Sequence, residues 1–212
     1  MAASTRPRGL ILRGHAWFYD IVIALMGLAY GRTHVRALLE VASLRPGEQV
    51  LDVGCGTGAL ALAAAKQLAT GDGVTGLDAS EQMIAVARRK AATTRLSVHF
   101  TVGTVEALPF DPAQFDVVFS TLMLHHLPKP ARENCLREVR RVLKPAGRLI
   151  VADFEAPARK QRGIAARLHR HGGVPAHEVA ALLERSGFLI SRTGELGVGD
   201  IHFTIATPGT SL

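Results

Sequence analysis

The chain has little cysteine and no apolar segment long enough to cross a membrane. Only two cysteines, Cys55 and Cys135, occur in 212 residues, so no disulfide framework is expected, as is typical of the reducing cytoplasm. The apolar stretch at residues 21–30 follows several arginines, as in a signal peptide. However, Asp20 interrupts the pattern, the stretch is too short to span a bilayer, and no small-residue cleavage site is evident. We therefore expect a cytoplasmic protein.

Metal-ligand spacing is also missing from the sequence. The nine histidines show no spacing with cysteines or carboxylates that is typical of a metal site, apart from the adjacent pair His125 and His126. Hydrophobic residues, by contrast, make up 48% of the chain. That fraction and the chain length indicate a single globular unit with a substantial core, and the histidine spacing suggests no bound metal.

Positive charge exceeds negative charge and is unevenly distributed. The formal net charge is +7, and residues 156–171 contain arginines and a lysine but no acidic residue. Two interpretations are open. The segment is either a solvated helix face or a contact surface for an anionic partner, such as lipid headgroups, an acidic substrate or nucleic acid.

The most informative segment is LDVGCGTG at residues 51–58. A short apolar run typical of a buried strand ends in three glycines at alternate positions, and an Ala/Leu-rich helix is predicted over residues 59–69. Because alternate positions carry no Cβ, backbone can approach a nucleotide-like ligand closely. Asp52, near the end of the strand, lies where it would meet a cationic group of that ligand.

A second strand, predicted over residues 73–78, ends in another carboxylate. Asp78 comes directly before a predicted helix at residues 81–92, and an acidic residue in this position accepts hydrogen bonds from a ribose diol. A nicotinamide dinucleotide and an adenosyl ligand both satisfy this arrangement, and a tight turn without a ligand is the remaining alternative.

Several segments resemble, in order and spacing, the motifs of S-adenosylmethionine-dependent methyltransferases with a Rossmann-like fold. They are LDVGCGTG (51–58), LDASEQM (77–83), EALPF (106–110), FDVV (115–118), LHHL (124–127) and EVRRVLKPAGRL (138–149). Within that superfamily they are similar to the ubiquinone/menaquinone-biosynthesis group. The resemblance implies S-adenosyl-L-methionine as cofactor and S-adenosyl-L-homocysteine as product. It says much less about the methyl acceptor.

The order of elements predicts an α/β fold of Rossmann type, with a seven-stranded, mostly parallel sheet, helices on both faces and an antiparallel last strand. Further strands are expected at residues 97–102, 115–120, 148–153, 189–195 and 200–207. The last two are joined by the short Gly-rich link LGVG, so they must form an antiparallel hairpin. A final antiparallel strand is typical of methyltransferases and not of dehydrogenases.

Two regions are expected along the chain, an N-terminal helical lid at residues 1–44 and the methyltransferase domain at residues 45–212. Residues 15–40 are predicted to form two helices that join near Gly31. The lid sequence WFYD, which ends in Tyr19 and Asp20, resembles a Tyr-Asp element found ahead of the first motif in the quinone-methyltransferase group.

The resemblance assigns cofactor contacts to residues at the carboxyl ends of the first four strands. They are Asp52, Gly54, Cys55, Gly56, Gly58, Asp78, Ala79, Met83, Thr104, Val105 and Ser120. The glycines would shape the turn around the methionine part, with the backbone of Cys55 presented there. Asp52 would lie near the ammonium group, and Ser120 would close the methionine side.

The nucleoside contacts follow from the same resemblance. Asp78 would accept from the ribose hydroxyls, Ala79 and Met83 would pack on the adenine, and Val105 would offer its backbone amide to the ring. The family usually has aspartate where Thr104 stands. A threonine hydroxyl also accepts a hydrogen bond, but without charge.

Three residues are candidates for catalysis: His125, His126 and Tyr19. The two histidines follow the fourth strand, where the acceptor enters, and either could take a proton from a phenol or an enol. The alternative is that one packs against the cofactor and the other caps the next helix, because many proximity-driven transfers need no strong base. Tyr19 has simple helix packing as its alternative role.

The expected acceptor is a small, lipophilic or anionic molecule, quinone-like in the first interpretation. An apolar lid and the basic segment 156–171 would suit a substrate at a membrane surface, with peripheral membrane contact. A phospholipid or natural-product N/O-methyltransferase and a non-catalytic cofactor-binding protein are the alternatives. Nucleic acid is not favoured, because the Asn/Asp-Pro-Pro-Tyr/Phe motif, a Pro-Cys pair and an RNA-binding module are all missing.

Overall fold

A computed structural model describes residues 31–69, 73–94, 96–155 and 173–209. The expected lid residues Tyr19 and Asp20 and the basic segment 156–171 lie outside these ranges. None of the helices that the structure describes is long and apolar enough to cross a membrane.

Seven strands form one sheet in the order β3-β2-β1-β4-β5-β7-β6. The strands are β1 (Val50–Val53), β2 (Val74–Asp78), β3 (His99–Val102), β4 (Phe115–Thr121), β5 (Leu143–Phe154), β6 (Phe188–Glu195) and β7 (Ile201–Pro208). Neighbours among the first five are parallel, and β7 is antiparallel to both β5 and β6. The predicted mostly parallel sheet with an antiparallel last strand is therefore confirmed.

Helices cover both faces of the sheet, as predicted. They are α1 (Gly31–Ala42), α2 (Ala59–Leu68), α3 (Glu81–Thr93), a 3-10 helix (Leu124–His126), α4 (Lys129–Val142) and α5 (Ala176–Arg185). Apolar side chains of α1, α2 and α3 form one buried cluster, and those of α4 and α5 form another. Successive strand residues point to opposite faces, so Val50 joins the first cluster and Leu51 the second.

Some element ends differ from the predicted ones for local reasons. Helix α4 begins at Lys129, not at residue 131, because Pro130 fits the first helical turn, where no backbone N–H is needed. Strand β5 begins at Leu143, not at residue 148. Phe115 of β4 pairs with Leu143 and Val117 pairs with Arg148, so the residues at 144–147 bulge out of the pairing.

One arginine ties α1 to the sheet. Arg148 of β5 contacts both carboxylate oxygens of Glu48, at 2.7 and 2.9 Å. It also donates to the carbonyl oxygen of Ala42, the last residue of α1, from Nε at 3.1 Å and Nη2 at 2.8 Å. Leu38 and Leu39 of α1 are also buried in the apolar cluster that contains α2. Helix α1 thus packs on the sheet, and the role of residues 1–44 as a lid stays a prediction.

Candidate functional site

The predicted ligand-binding residues lie along one edge of the sheet. Strands β1, β2, β3 and β4 are parallel, so their carboxyl ends meet there. The glycine turn follows β1, the Asp78 segment ends β2, Thr104 and Val105 follow β3, and Ser120 lies near the end of β4. In open α/β sheets this edge is the usual position of a ligand crevice.

The glycine turn has left-handed backbone at all three of its glycines. The φ angles of Gly54, Gly56 and Gly58 are 73°, 52° and 77°, a region that residues with a Cβ rarely adopt. The backbone N–H groups of Gly54 and Cys55 both donate to the carbonyl oxygen of Leu77 on β2, at 2.8 and 3.0 Å. The turn is therefore held against the neighbouring strand and leads directly into α2.

The three glycines differ in what surrounds them. A Cβ on Gly54 would lie 2.6 Å from Cγ of Met123, and one on Gly58 would lie 2.6 Å from Cζ of Phe100. A Cβ on Gly56 would meet nothing within 4 Å. Gly54 and Gly58 are thus required by packing within the protein, whereas Gly56 faces open space from which a ligand could reach the backbone.

Asp78 connects the glycine turn to the start of α3. Its Oδ2 accepts from the backbone N–H of Gly56 at 2.8 Å, and its Oδ1 accepts from that of Ser80, also at 2.8 Å. Ser80 in turn caps α3 by accepting from the backbone N–H of Met83 at 3.3 Å. Each carboxylate oxygen keeps a second lone pair, so Asp78 can order the turn and still accept from a ligand.

Asp52 is a buried carboxyl beside this turn. It is 1% exposed, and among the described residues its Oδ1 has no hydrogen-bond partner. Burial, followed by the negative charge of Asp78, raises the pKa of Asp52 to about 7, although the backbone N–H of Ala61 opposes the increase. An unpaired buried charge is costly, so the site favours a bound cation.

Two further buried side chains belong to the strand end and the turn next to Asp52. The hydroxyl of Ser120 is also buried and lacks a hydrogen-bond partner within the described part of the chain. Its residue pairs with Val53 in the sheet register. Cys55 is buried, and burial raises the pKa of its thiol, so this thiol stays neutral and does not act as a nucleophile.

The segment after β3 lies beside Asp78. The backbone N–H of Gly103 donates to the carbonyl oxygen of Asp78 at 3.0 Å, which places the half-buried Thr104 and Val105 next to the β2 end. On the other side of Asp78, Ala79 is exposed and Met83 is half-buried. These four residues flank Asp78, and their contacts with an adenine ring stay a prediction.

Helix α4 holds the rest of this segment. The carboxylate of Glu138 accepts from the backbone N–H of Leu108 at 2.9 Å. Arg141 donates to the carbonyl oxygens of Leu108 and Phe110, at 2.9 and 2.8 Å, and also to Glu138 at 2.8 Å. Sequence reasoning missed this role of EVRR, because the partner segment lies 30 residues away along the chain.

The two histidine candidates occupy different environments. The His125 side chain is 4% exposed and its Nδ1 lies 2.5 Å from Oδ1 of Asp153, whose side chain is 3% exposed. His126 is exposed, with its ring centroid 3.9 Å from that of His125. Asp153 was not among the predicted site residues. Its position at the carboxyl end of β5 repeats the pattern that singled out Asp52 and Asp78.

Comparison with known proteins adds a family context to this geometry. The family described as a methyltransferase domain matches residues 50–147. A demethylmenaquinone methyltransferase from Thermus thermophilus is 34% identical over 151 residues, which are 71% of this chain and 67% of that protein. A ubiquinone/menaquinone biosynthesis C-methyltransferase from Hydrogenovibrio crunogenus is 33% identical over 138 residues, covering 64% of this chain and 54% of that protein.

A solved methyltransferase structure also has a fold similar to that of this chain. A SAM-dependent methyltransferase from Aquifex aeolicus superposes with a TM-score of 0.68 at 26% identity, covering 81% of this chain and 88% of the other. The chain spans about half the length of several of the curated relatives it matches.

Proposed function

Because the chain belongs to the S-adenosylmethionine-dependent methyltransferase family, we propose that it transfers the cofactor's methyl group to a small, lipophilic, quinone-like acceptor. The two sequence relatives described above are a demethylmenaquinone methyltransferase and a ubiquinone/menaquinone biosynthesis C-methyltransferase. Their names support this acceptor class.

The observation that carries the cofactor assignment is the buried Oδ1 of Asp52, which has no hydrogen-bond partner among the described residues and lies beside an open glycine turn. The cofactor supplies a methyl group on a positively charged sulfonium, together with an ammonium group and a ribose diol. Asp52 would bind the ammonium group, and Asp78 would accept from the ribose hydroxyls with its remaining lone pairs. The hydroxyl of Ser120, which also lacks a partner within the described part of the chain, would donate to the methionine side.

The remaining contacts are assigned by position along the same edge. Gly54, Gly56 and Gly58, with the backbone of Cys55, would enclose the methionine part. Around the nucleoside, the adenine ring would lie among the residues that flank Asp78. These residues are Ala79, Met83, Thr104 and Val105.

The chain's contribution to methyl transfer is chiefly positional. The glycine turn and the two aspartates would hold the methyl donor, and the segment after β4 would hold the acceptor next to it. Well-oriented reactants of this kind gain about 7 kcal/mol or more relative to free reactants.

Two measurements test the proposal. Isothermal titration calorimetry should show binding of S-adenosylhomocysteine, and Asp78→Asn should weaken it by about 1.5–3 kcal/mol, the usual contribution of hydrogen bonds to a charged group. Cofactor labelled in its methyl group should then label reduced demethylmenaquinone in detergent micelles. Phosphatidylethanolamine serves as the alternative acceptor.

Each negative result has its own meaning. Absence of binding at millimolar cofactor or product would overturn the whole proposal. Labelling of phosphatidylethanolamine instead of the quinol would show that the acceptor is a phospholipid and not a quinone-like molecule. Tight binding without transfer to either acceptor, or to a panel of phenols and amines, would favour a cofactor-binding protein without catalytic activity.

A further inference from the structure

Asp153 holds His125 by both its backbone and its ring. Its Oδ2 accepts from the backbone N–H of His125 at 3.1 Å, and its Oδ1 lies 2.5 Å from Nδ1 of the ring. Oδ1 also accepts from the backbone N–H of Phe154 at 2.8 Å. With both side chains almost fully buried, this pair is shielded from water.

The donors around Asp153 determine where the proton of His125 resides. Both oxygens of Asp153 accept backbone N–H groups, so the carboxylate meets the ring as a hydrogen-bond acceptor. Nδ1 of His125 must therefore carry a hydrogen, so the lone pair of the neutral ring lies on Nε2. The pair thus holds a basic nitrogen on the side of the ring opposite Asp153.

The backbone around His125 is held from two directions. Arg132 of α4 donates from Nε to the carbonyl oxygens of Leu124 and Leu127, both at 2.9 Å. On the β5 side, the backbone N–H of Leu122 donates to the carbonyl oxygen of Ala152 at 2.8 Å. Leu122 has a φ of 50°, a costly conformation for a leucine that persists only where surrounding contacts enforce it, often at functional sites.

The segment that carries His125 contacts the glycine turn through Met123. Strand β4 is the direct neighbour of β1, with Ser120 paired to Val53. Met123, two residues before His125, packs so closely on Gly54 that no Cβ would fit between them. The histidine therefore follows the strand end that borders the proposed cofactor site.

We propose that His125 is the general base of the methyl transfer, that Asp153 is its positioning residue, and that the acceptor is a hydroxyl compound of the phenol or enol type. This inference rests on the proposed function. A His-Asp arrangement keeps the imidazole in one tautomer and stabilises the imidazolium that forms. Such a device is useful only for an acceptor that must lose a proton.

The step balances in atoms and charge. The acceptor atom bonds to the methyl carbon while the bond from that carbon to sulfur breaks, and its electron pair stays on sulfur. The hydroxyl proton passes to Nε2 of His125 and then to water. If a ring carbon takes the methyl group, that carbon then loses its hydrogen as a proton and the oxygen regains its own. Methylation on oxygen and methylation on carbon therefore each release one proton.

The tautomer can be measured without any acceptor. In long-range ¹⁵N–¹H spectra of the histidine-labelled protein with S-adenosylhomocysteine, His125 should show a protonated Nδ1 and an unprotonated Nε2. His125→Gln identifies its signals by removing them. Asp153→Asn should abolish the single fixed tautomer. A wild-type His125 that carries its proton on Nε2 would overturn the proposal.

Kinetics test the role of the base itself. With reduced demethylmenaquinone as acceptor, His125→Gln should lower kcat by about 10²–10⁴-fold, the usual contribution of a general base, with product affinity unchanged. Asp153→Asn should also lower kcat and leave KM unchanged. His99→Gln, an exposed histidine on β3, is the matched control and should leave kcat unchanged.

Assay pH separates a base from a structural contact. Among the described residues, the titratable or charged groups near His125 are Asp153 from β5, His126 in the same 3-10 helix and Arg132 of α4, which bonds the backbone on both sides of His125. The defect of His125→Gln should shrink as pH approaches about 10, where a phenolic hydroxyl ionises by itself. A defect that is equal at every pH would show a structural role and overturn the proposal.

Other outcomes separate this inference from the proposed function. If the wild type methylates the quinol and His125→Gln does so equally well, the inference is wrong and the proposed function stands. If His126→Gln shows the pH-dependent defect instead, the assignment to His125 is wrong. If the wild type binds the product but leaves the quinol unlabelled, the acceptor is wrong, and the tautomer measurement still decides on the pair.

Discussion

At the scale of single residues, Asp52 has the least favourable environment among the described carboxyls of the site. Its pKa of about 7 lies above the ordinary value of 3.8, because burial and Asp78 disfavour the charged form. Between these two pH values the folded protein binds a proton that the unfolded chain does not. Stability of the unliganded protein therefore decreases from this group as pH rises from about 4 to about 7.

Cofactor binding should offset the unfavourable burial of the ionised Asp52 carboxylate and release a proton. A cation beside Asp52 lowers the pKa of its carboxyl, so at pH 6 binding of S-adenosylmethionine should release close to one proton per site, and at pH 8.5 almost none. Calorimetry in buffers with different heats of ionisation measures this number. Asp52→Asn should release none at pH 6, and equal release by the variant and the wild type would contradict the assignment.

Two glycines of the turn should respond differently to alanine. Both have positive φ, which costs about 1–2 kcal/mol for a residue with a Cβ. Gly58→Ala adds overlap with Phe100, and such overpacking costs about 1–3 kcal/mol more.

For Gly56→Ala we expect the smaller loss of stability but the larger loss of product affinity, because its Cβ points into the open space of the site. Urea unfolding without ligand and calorimetry with S-adenosylhomocysteine measure the two effects. If both variants lose stability equally and bind equally well, the open space at Gly56 is not the binding site.

At the scale of elements, α4 positions the segment that carries Thr104 and Val105. Glu138 and Arg141 bond three backbone groups of residues 108–110, and Arg141 lowers the pKa of Glu138. A helix on one face of the sheet thus orders part of the ligand edge. This coupling makes the order of the segment after β3 dependent on α4 packing.

Arg141→Ala should destabilise the protein by about 1–3 kcal/mol, because two carbonyl groups lose their charged donor. It should also weaken product binding, since the segment after β3 is then less ordered. Urea unfolding and calorimetry measure both effects. Arg137→Ala, an exposed arginine on the same helix, is the control, and equal losses in the two variants would contradict the role of Arg141.

At the scale of the whole molecule, the site is assembled from the carboxyl ends of five parallel strands, so a ligand bound there contacts segments distant in sequence. Binding to the folded state alone stabilises it by about 2.7 kcal/mol at a hundredfold excess over Kd. For a chain of this size the melting temperature should then rise by about 5–10 °C.

Thermal unfolding with S-adenosylhomocysteine tests this expectation, and nicotinamide adenine dinucleotide is the control ligand. The glycine turn alone is compatible with both ligands, but the antiparallel β7 and the sequence relatives favour the adenosyl one. A larger shift with the dinucleotide would contradict the cofactor assignment.

Much of this architecture could be predicted from local pattern. Apolar runs, alternate glycines and the Gly-rich link between β6 and β7 depend on residues close together in the chain, so strand, turn and helix types followed directly. Asp52 and Asp78 could be placed at one edge because parallel strands end on the same side. Element ends were less predictable, as in β5, whose start depends on pairing between Phe115 and Leu143.

The sequence alone therefore determined the fold class, the glycine turn and the two aspartates beside it, since each is encoded within a few neighbouring residues. Only the tertiary structure showed that His125 contacts Asp153, because the two residues lie 28 positions apart in the chain and meet through the adjacency of β4 and β5. The same holds for Met123 against Gly54. Contacts across the sheet depend on strand order and register, which no short stretch of sequence specifies.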